Sequence, residues 1–156
     1  MFGMKSYLSI IGGLFIVICF VVAYYIGYNP FQSQDMEASS KAYVEKNVPA
    51  IISTWSMDAL LKRSSPDFLK SIGGNPDLLE QQFHKLSKLG SMQSFGDVKG
   101  YASNFTTNQN RIVTYASYVA IAKYEKGEAN ISINLVQIHD KWLISKFKVD
   151  SPLLHK

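Results

Sequence analysis

The sequence predicts an α+β domain, with helices packed on a curved antiparallel sheet, behind one N-terminal transmembrane helix. The helix is predicted because residues 7–28 form an uncharged and almost wholly apolar run. Downstream, as far as residue 89, apolar residues recur at spacings of three and four, as in amphipathic helices. After Gly90 the apolar residues alternate with polar ones, as in half-buried strands.

Length and cysteine content limit what the domain can be. The chain has 156 residues, so the part beyond residue 30 suffices for one domain and not comfortably for two. Its one cysteine, Cys19, lies in the apolar run. We therefore expect no disulfide, thiolate metal site or cysteine nucleophile in the folded domain.

The distribution of charge argues against a nucleic-acid partner. The net charge of the chain is +4, and +3 without Lys5, which precedes the apolar run. The basic residues are scattered, and only Arg63 and Arg111 are arginines. Nucleic-acid-binding domains usually concentrate their positive charge in one stripe or patch.

The apolar run is close to the roughly 20 residues that cross a bilayer as a helix. Lys5 and the amino terminus precede it, whereas Asp35 and Glu37 follow it. The positive-inside rule then places the N-terminus in the cytoplasm and the domain outside the inner (plasma) membrane, in the periplasm or the extracellular space. We assign residues 1–28 to a single-pass anchor, 29–37 to a linker and 38–156 to the exported domain.

A cleaved signal peptide is the alternative to an anchor. Val21-Val22-Ala23 resembles a cleavage site, although the apolar run is long for a signal and its apolar aromatic character continues past Ala23. Cleavage would release a secreted domain, so both interpretations export it.

Four helical segments are predicted before Gly90. The first covers residues 37–55, with Pro49 expected to kink or divide it near Val48. Short helices follow over residues 57–63 and after Ser65-Pro66. The last begins at Asn75, a suitable N-cap, with a proline at its first position, and ends at Gly90.

Four strands are predicted in the second half of the chain, over residues 92–101, 111–124, 129–139 and 142–149. Short turns separate the last three strands, so neighbouring strands should be antiparallel and form a meander. One face is more apolar than the other, so the helices should cover that face.

Particular residues carry a resemblance to a known family. They are Ile-Ile-Ser-Thr-Trp at residues 51–55, Leu60-Leu61, Phe68 and the terminal segment 140–149, with Trp142, Ile144, Phe147 and Val149. Over residues 38–151 the chain resembles the nuclear-transport-factor-2-like, or cystatin-like, domains in their small bacterial membrane-anchored form.

The resemblance implies a cone-like fold, in which a curved sheet wraps a long helix and a pocket lies at the wide end of the cone. Members of that family include isomerases, dehydratases and transport and assembly factors, so the fold does not decide the function. Homodimerisation through the sheet is also implied. The inner-membrane assembly factors of type IV secretion are similar in layout, with one span and this fold outside.

No set of residues in the sequence forms a recognisable catalytic, metal-binding or phosphate-binding motif. The three histidines have no metal-ligand spacing, and we find no glycine-rich phosphate loop, nucleophile elbow or paired acid motif. Each candidate acid, base or polar ligand also suits an ordinary turn, helix or strand position: Asp97, His84, His139, Asp140, Tyr115, Tyr118 and Tyr124. We therefore expect no enzyme activity, no cofactor and no metal site.

The sequence favours a membrane-tethered interaction module, an accessory or assembly subunit of a cell-envelope complex. Exposed aromatic residues on the sheet face, such as Tyr115 and Phe147, would contact the partner. The alternative is a small-molecule-binding or isomerase-like domain, with Asp97 and a tyrosine in the cone pocket. A pocket filled by Phe and Trp side chains would argue against that alternative.

Overall fold

The computed structural model describes residues 30–155, so the predicted anchor at residues 1–28 lies outside the described residues. The described helices are α1 (Pro30–Ile52), α2 (Met57–Leu61), α3 (Pro66–Gly73) and α4 (Pro76–Ser87). The strands are β1 (Met92–Thr106), β2 (Ile112–Tyr124), β3 (Gly127–Ile138) and β4 (Lys141–Asp150), followed by a 3₁₀ turn at Pro152–His155. Among these described helices, none is long and apolar enough to cross a membrane.

Helix α1 is longer than predicted and is not divided. It begins at Pro30, so most of the predicted linker over residues 29–37 is helical. It also continues through Pro49 to Ile52, so of the two effects expected of Pro49, a kink or a division near Val48, the division was wrong. Proline removes one helical hydrogen bond, and complete burial of Val48, Ile51 and Ile52 offsets that loss.

Serine caps fix the starts of the two short helices. The Ser56 hydroxyl accepts a hydrogen bond from the Ala59 amide at 3.2 Å, and the Ser65 hydroxyl accepts one from the Phe68 amide at 3.3 Å. Asn75 occupies the N-cap position of α4 as predicted, but its side chain makes no capping bond.

The four strands form one antiparallel sheet in the order β1-β2-β3-β4, which confirms the predicted meander. β1 runs to Thr106, farther than predicted. His139 and Asp140 join β3 to β4 with φ angles of +48° and +59°. Two successive positive φ values match the twist of neighbouring strands, so this pair serves as a tight hairpin turn.

Helices α1 and α4 pack on one face of the sheet, called here the inner face, and this confirms the predicted α+β class. The Tyr124 hydroxyl on β2 donates to the Ile52 carbonyl of α1 at 3.0 Å, and both residues are buried. Trp55 stacks on Tyr124, with the ring centres 5.6 Å apart. The Phe83 ring of α4 forms a T-shaped contact with Trp55, with the ring centres 5.5 Å apart. Aromatic rings therefore fill the space between the helices and the sheet.

Candidate functional site: the outer face of the sheet

The side chains of β2 alternate strictly between the two faces of the sheet. Its inner residues are buried: Ala116, Tyr118, Ala120, Ala122 and Tyr124. The residues between them point to the opposite, outer face, and Tyr115 and Val119 there are 41% and 53% exposed. Since side chains alternate along a strand, the outer residues cannot contribute to the same core.

Four large apolar side chains stand exposed on the outer face, and we call them the outer patch: Tyr101, Phe105, Tyr115 and Val119. Tyr101 is 60% exposed and Phe105 is 53% exposed. Strand register brings them together, because Ser103 lies opposite Tyr115, midway between the two β1 aromatics. The rings of Phe105 and Tyr115 are 6.0 Å apart. Contiguous exposed apolar surface of this kind is typical of interaction sites.

A small cleft borders the outer patch on the side of α3. Its volume is about 240 Å³, and Tyr115 lines it together with Phe68 of α3 and Val136 of β3. Val136 is directly opposite Tyr115 in the register of the sheet. The rest of the lining is mostly polar: Ser65, Asp67, Ser71, Ile138 and Ser145. A half-exposed aromatic side chain beside a cleft of mixed polarity is typical of the anchors of protein interfaces.

Lysines flank the outer patch on the same face. Lys99 pairs with Val119, and the same cross-strand row reaches Lys148 through Ser132. The neighbouring row runs from Tyr101 to Lys146. Within the described residues Lys99, Lys146 and Lys148 make no salt bridge, whereas Lys123, farther along the face, is 3.7 Å from Glu128. The patch is therefore apolar at its centre and positively charged at one side.

Phe147, predicted to be an exposed contact residue, lies in the core instead. It is 8% exposed, and its ring is 6.2 Å from that of Phe83. The cause is a bulge in β4: Asn134 pairs with Lys146 but Leu135 pairs with Ile144, so Ser145 is an extra residue. One extra residue reverses the alternation and turns Phe147 inward. The expectation that this side chain is exposed was wrong.

The structure does not bring Asp97 to the outer patch. Asp97 is exposed in β1, at the register shift between Gly96 and Lys99, with a φ of +51°. Aspartate tolerates this left-handed conformation better than most residues, which gives Asp97 a local role in the bulge. His84 and His139 are also exposed and lie apart, on α4 and in the β3–β4 turn.

Aromatic side chains pack in the described part of the interior, between the helices and the sheet. Trp55, Phe83, Tyr124 and Phe147 pack against one another there. The indole N–H of Trp55 is buried without a hydrogen-bond partner in the described part of the chain. Residues 30–155 contain no group of three or more His, Cys, Asp or Glu that could hold a metal ion.

A second surface feature is a groove of about 750 Å³ between α1 and the β3–β4 turn, lined by Tyr43, Lys46, Arg63 and Lys141 among others. Arg63 is held in place, because its Nε donates to the Asn47 side chain at 3.0 Å and its Nη1 donates to the Ala59 carbonyl at 2.9 Å. Burial raises the pKa of Tyr43, although nearby Arg63 acts in the opposite direction. These bonds join α1 to α2, so Arg63 has a structural role.

Sequence reasoning found Tyr115 but missed Tyr101, Phe105, Val119 and the three lysines. Alternation within β2 is a signal that could have found Val119, because it lies four residues from Tyr115 and so on the same face. The contribution of β1, however, depends on register, and two register shifts interrupt its pairing with β2.

Comparisons of the chain with protein-family models, with curated proteins and with solved structures found no match. A functional proposal therefore rests on the α+β fold and on the chemistry of its surfaces.

Proposed function

We propose that this chain is a non-enzymatic, membrane-tethered interaction module of the nuclear-transport-factor-2-like type. It serves as an accessory or assembly subunit of a cell-envelope complex. The outer patch carries this proposal: it is a contiguous group of exposed aromatic and aliphatic residues on a sheet whose other face is already covered.

The composition of the patch suggests the chemistry of the partner. Tyr115, Phe68 and Val136 suit the apolar body of an anchor side chain, and the serines of the cleft suit a polar tip. Lys99, Lys146 and Lys148 on the same face suit carboxylates at one side of that anchor, away from Asp67. We therefore propose a protein partner that presents an apolar centre next to acidic residues, and charge of opposite sign would speed and orient the encounter.

The tether comes from the sequence. Residues 7–28 are uncharged and long enough to span a bilayer. A tether confines the module to two dimensions and raises the effective concentration of any membrane partner, so a modest interface suffices for binding.

Two observations weigh against the small-molecule alternative. Aromatic side chains occupy the interior where a cone pocket would lie. Asp97, the carboxylate expected in such a pocket, is exposed on β1. An interaction surface on the outer face requires neither an open interior nor a buried carboxylate.

Site-specific photo-crosslinking in intact cells tests the proposal. The full-length chain would carry p-benzoylphenylalanine in place of Tyr115, and in a control in place of Leu78, which is 54% exposed on α4. We expect a discrete protein adduct from position 115 that is absent from position 78. Equal labelling at both positions, or adducts with lipid alone at position 115, would overturn the proposed docking surface.

A further inference from the structure

The free edge of the sheet is a second surface, distinct from its outer face. β1 is the terminal strand, and in the described residues no strand lies on its other side. The opposite edge is partly occupied, because the segment before α3 bonds to β4: the Ser65 amide donates to the Ile144 carbonyl at 2.7 Å, and the Ile144 amide donates to the Arg63 carbonyl at 2.8 Å.

The second half of β1 lacks the usual protection of an edge strand. From Lys99 to Thr106 it pairs with β2 without interruption, whereas both register shifts lie earlier in the strand. From residue 100 to residue 110 the sequence contains neither a charged residue nor a proline. Natural edge strands are generally kept from pairing by lysines, prolines or bulges. This half of β1 is thus competent to accept another strand.

We propose that a second copy of this chain occupies this edge, pairing β1 antiparallel with β1 of the partner about a two-fold axis at Ser103. In that register Tyr101 lies opposite the partner's Phe105, and Phe105 lies opposite the partner's Tyr101. All four rings are on the outer face, where aromatic cross-strand pairs stabilise a sheet. Residues 100–106 of one copy face residues 106–100 of the other.

The symmetric placement of Tyr101 and Phe105 about Ser103 favours a second copy over another extended peptide, because one two-fold axis aligns both aromatic pairs. In this register Lys99 falls opposite the partner's Thr107, so no two like charges meet across the pairing. A two-fold axis also closes the assembly at two copies, since each chain has one such edge to offer. The product is one continuous sheet of eight strands, four from each copy, with the two outer patches side by side.

The edge and the face can be tested separately. Tyr101 and Phe105 belong to both surfaces, so the face is tested at Tyr115 and Val119 and the edge is tested at Ser103. Failure of one test then leaves the other proposal standing.

Cysteine cross-linking of the full-length chain tests the register. Cys19 is the only cysteine, so Cys19→Ser provides a cysteine-free background. Ser103→Cys in that background should oxidise with copper phenanthroline to a disulfide-linked dimer, because paired residues of antiparallel strands lie about 4.5–5.5 Å apart at Cα, within the range of a disulfide. Ser94→Cys is the matched control, on the same strand and face, about 60 Å from its symmetry mate at roughly 3.3 Å per residue.

Light scattering of the purified full-length chain in detergent measures its mass independently. We expect twice the chain mass, a high yield of dimer from Ser103→Cys and none from Ser94→Cys. Tyr101→Lys should weaken the dimer at least tenfold, since it places a charge opposite the partner's Phe105. A monomeric native chain, or a dimer that Ser103→Cys does not cross-link more than Ser94→Cys, would overturn this inference.

Discussion

The phenol oxygen of Tyr118 lies 2.8 Å from the hydroxyl oxygen of Ser40, joining β2 to α1 across 78 positions of the sequence. The Tyr118 hydroxyl is also within 3.1 Å of the Glu37 carbonyl. Both side chains are essentially buried, at 1% and 0% exposure. This contact holds α1 at Ser40 on the inner face, opposite the face on which the next β2 residue, Val119, is exposed.

Removing the Tyr118 hydroxyl should therefore destabilise the domain. We expect Tyr118→Phe to lower the free energy of unfolding by about 1 kcal/mol, because a buried hydrogen bond is lost while the ring remains. Urea unfolding of Tyr118→Phe, Ser40→Ala and the double variant gives the coupling energy. Strictly additive effects would mean that the two hydroxyls do not interact.

Truncation of Phe147 should lower the free energy of unfolding far more than truncation of Tyr115. Phe147→Ala removes a buried ring that packs on Phe83, and we expect a loss of about 3–5 kcal/mol. Tyr115→Ala changes a half-exposed ring on the outer face, and we expect a loss below about 1 kcal/mol. Equal losses measured by urea unfolding would contradict the assignment of the two residues to opposite faces.

Phe147 shows which parts of the structure could be predicted from the sequence and which could not. Strand positions and the α+β class follow from local patterns of alternation, caps and turns, and these were confirmed. The face on which Phe147 lies depends on the extra residue Ser145 in β4, which is fixed by pairing with β3 rather than by any local signal. Alternation from Trp142 and Ile144 alone places Phe147 on the wrong face.

In helix α1, local signals predicted the wrong helix bounds. Pro49 indicated a break, and the polar residues 32–35 indicated a linker, yet the helix runs from Pro30 to Ile52. At Pro49, burial of Val48, Ile51 and Ile52 against the sheet outweighs local propensity. Likewise, the outer patch needed the register between β1 and β2, which spacing along one strand cannot supply.

Gly100 should be required for the approach of β1 to β2. A Cβ at Gly100 would lie 2.0 Å from the Ser117 carbonyl oxygen and 2.5 Å from the Tyr118 ring, whereas one at Gly96 would meet nothing within 4 Å. We expect Gly100→Ala to cost about 1–3 kcal/mol and to perturb the outer patch, and Gly96→Ala to be close to neutral. Similar urea midpoints for the two variants would contradict the close strand contact.

Alkaline pH should destabilise the domain through its buried phenols. Burial raises the pKa of Tyr124 and of Tyr118 above the usual value, so the unfolded chain loses these protons first. Their contribution to stability is complete below about pH 10 and is lost as the pH rises towards the folded-state pKa.

The measurement is the urea midpoint at about pH 8 and about pH 11. Tyr124→Phe should reduce the loss of stability between these conditions, whereas Tyr101→Phe, at a residue that is 60% exposed, should leave that loss unchanged. The same dependence on pH in both variants would show that Tyr124 does not contribute to it.

The central claim is that the outer patch binds a membrane partner, and quantitative co-purification tests it most directly. The full-length chain, tagged at its C-terminus, would be extracted in mild detergent beside Val119→Lys and Leu78→Lys, which add the same charge to the outer patch and to α4. We predict a stoichiometric membrane protein with the native chain and with Leu78→Lys, and its loss with Val119→Lys. A native chain that purifies alone or only with copies of itself, or a partner retained by Val119→Lys, would contradict the claim.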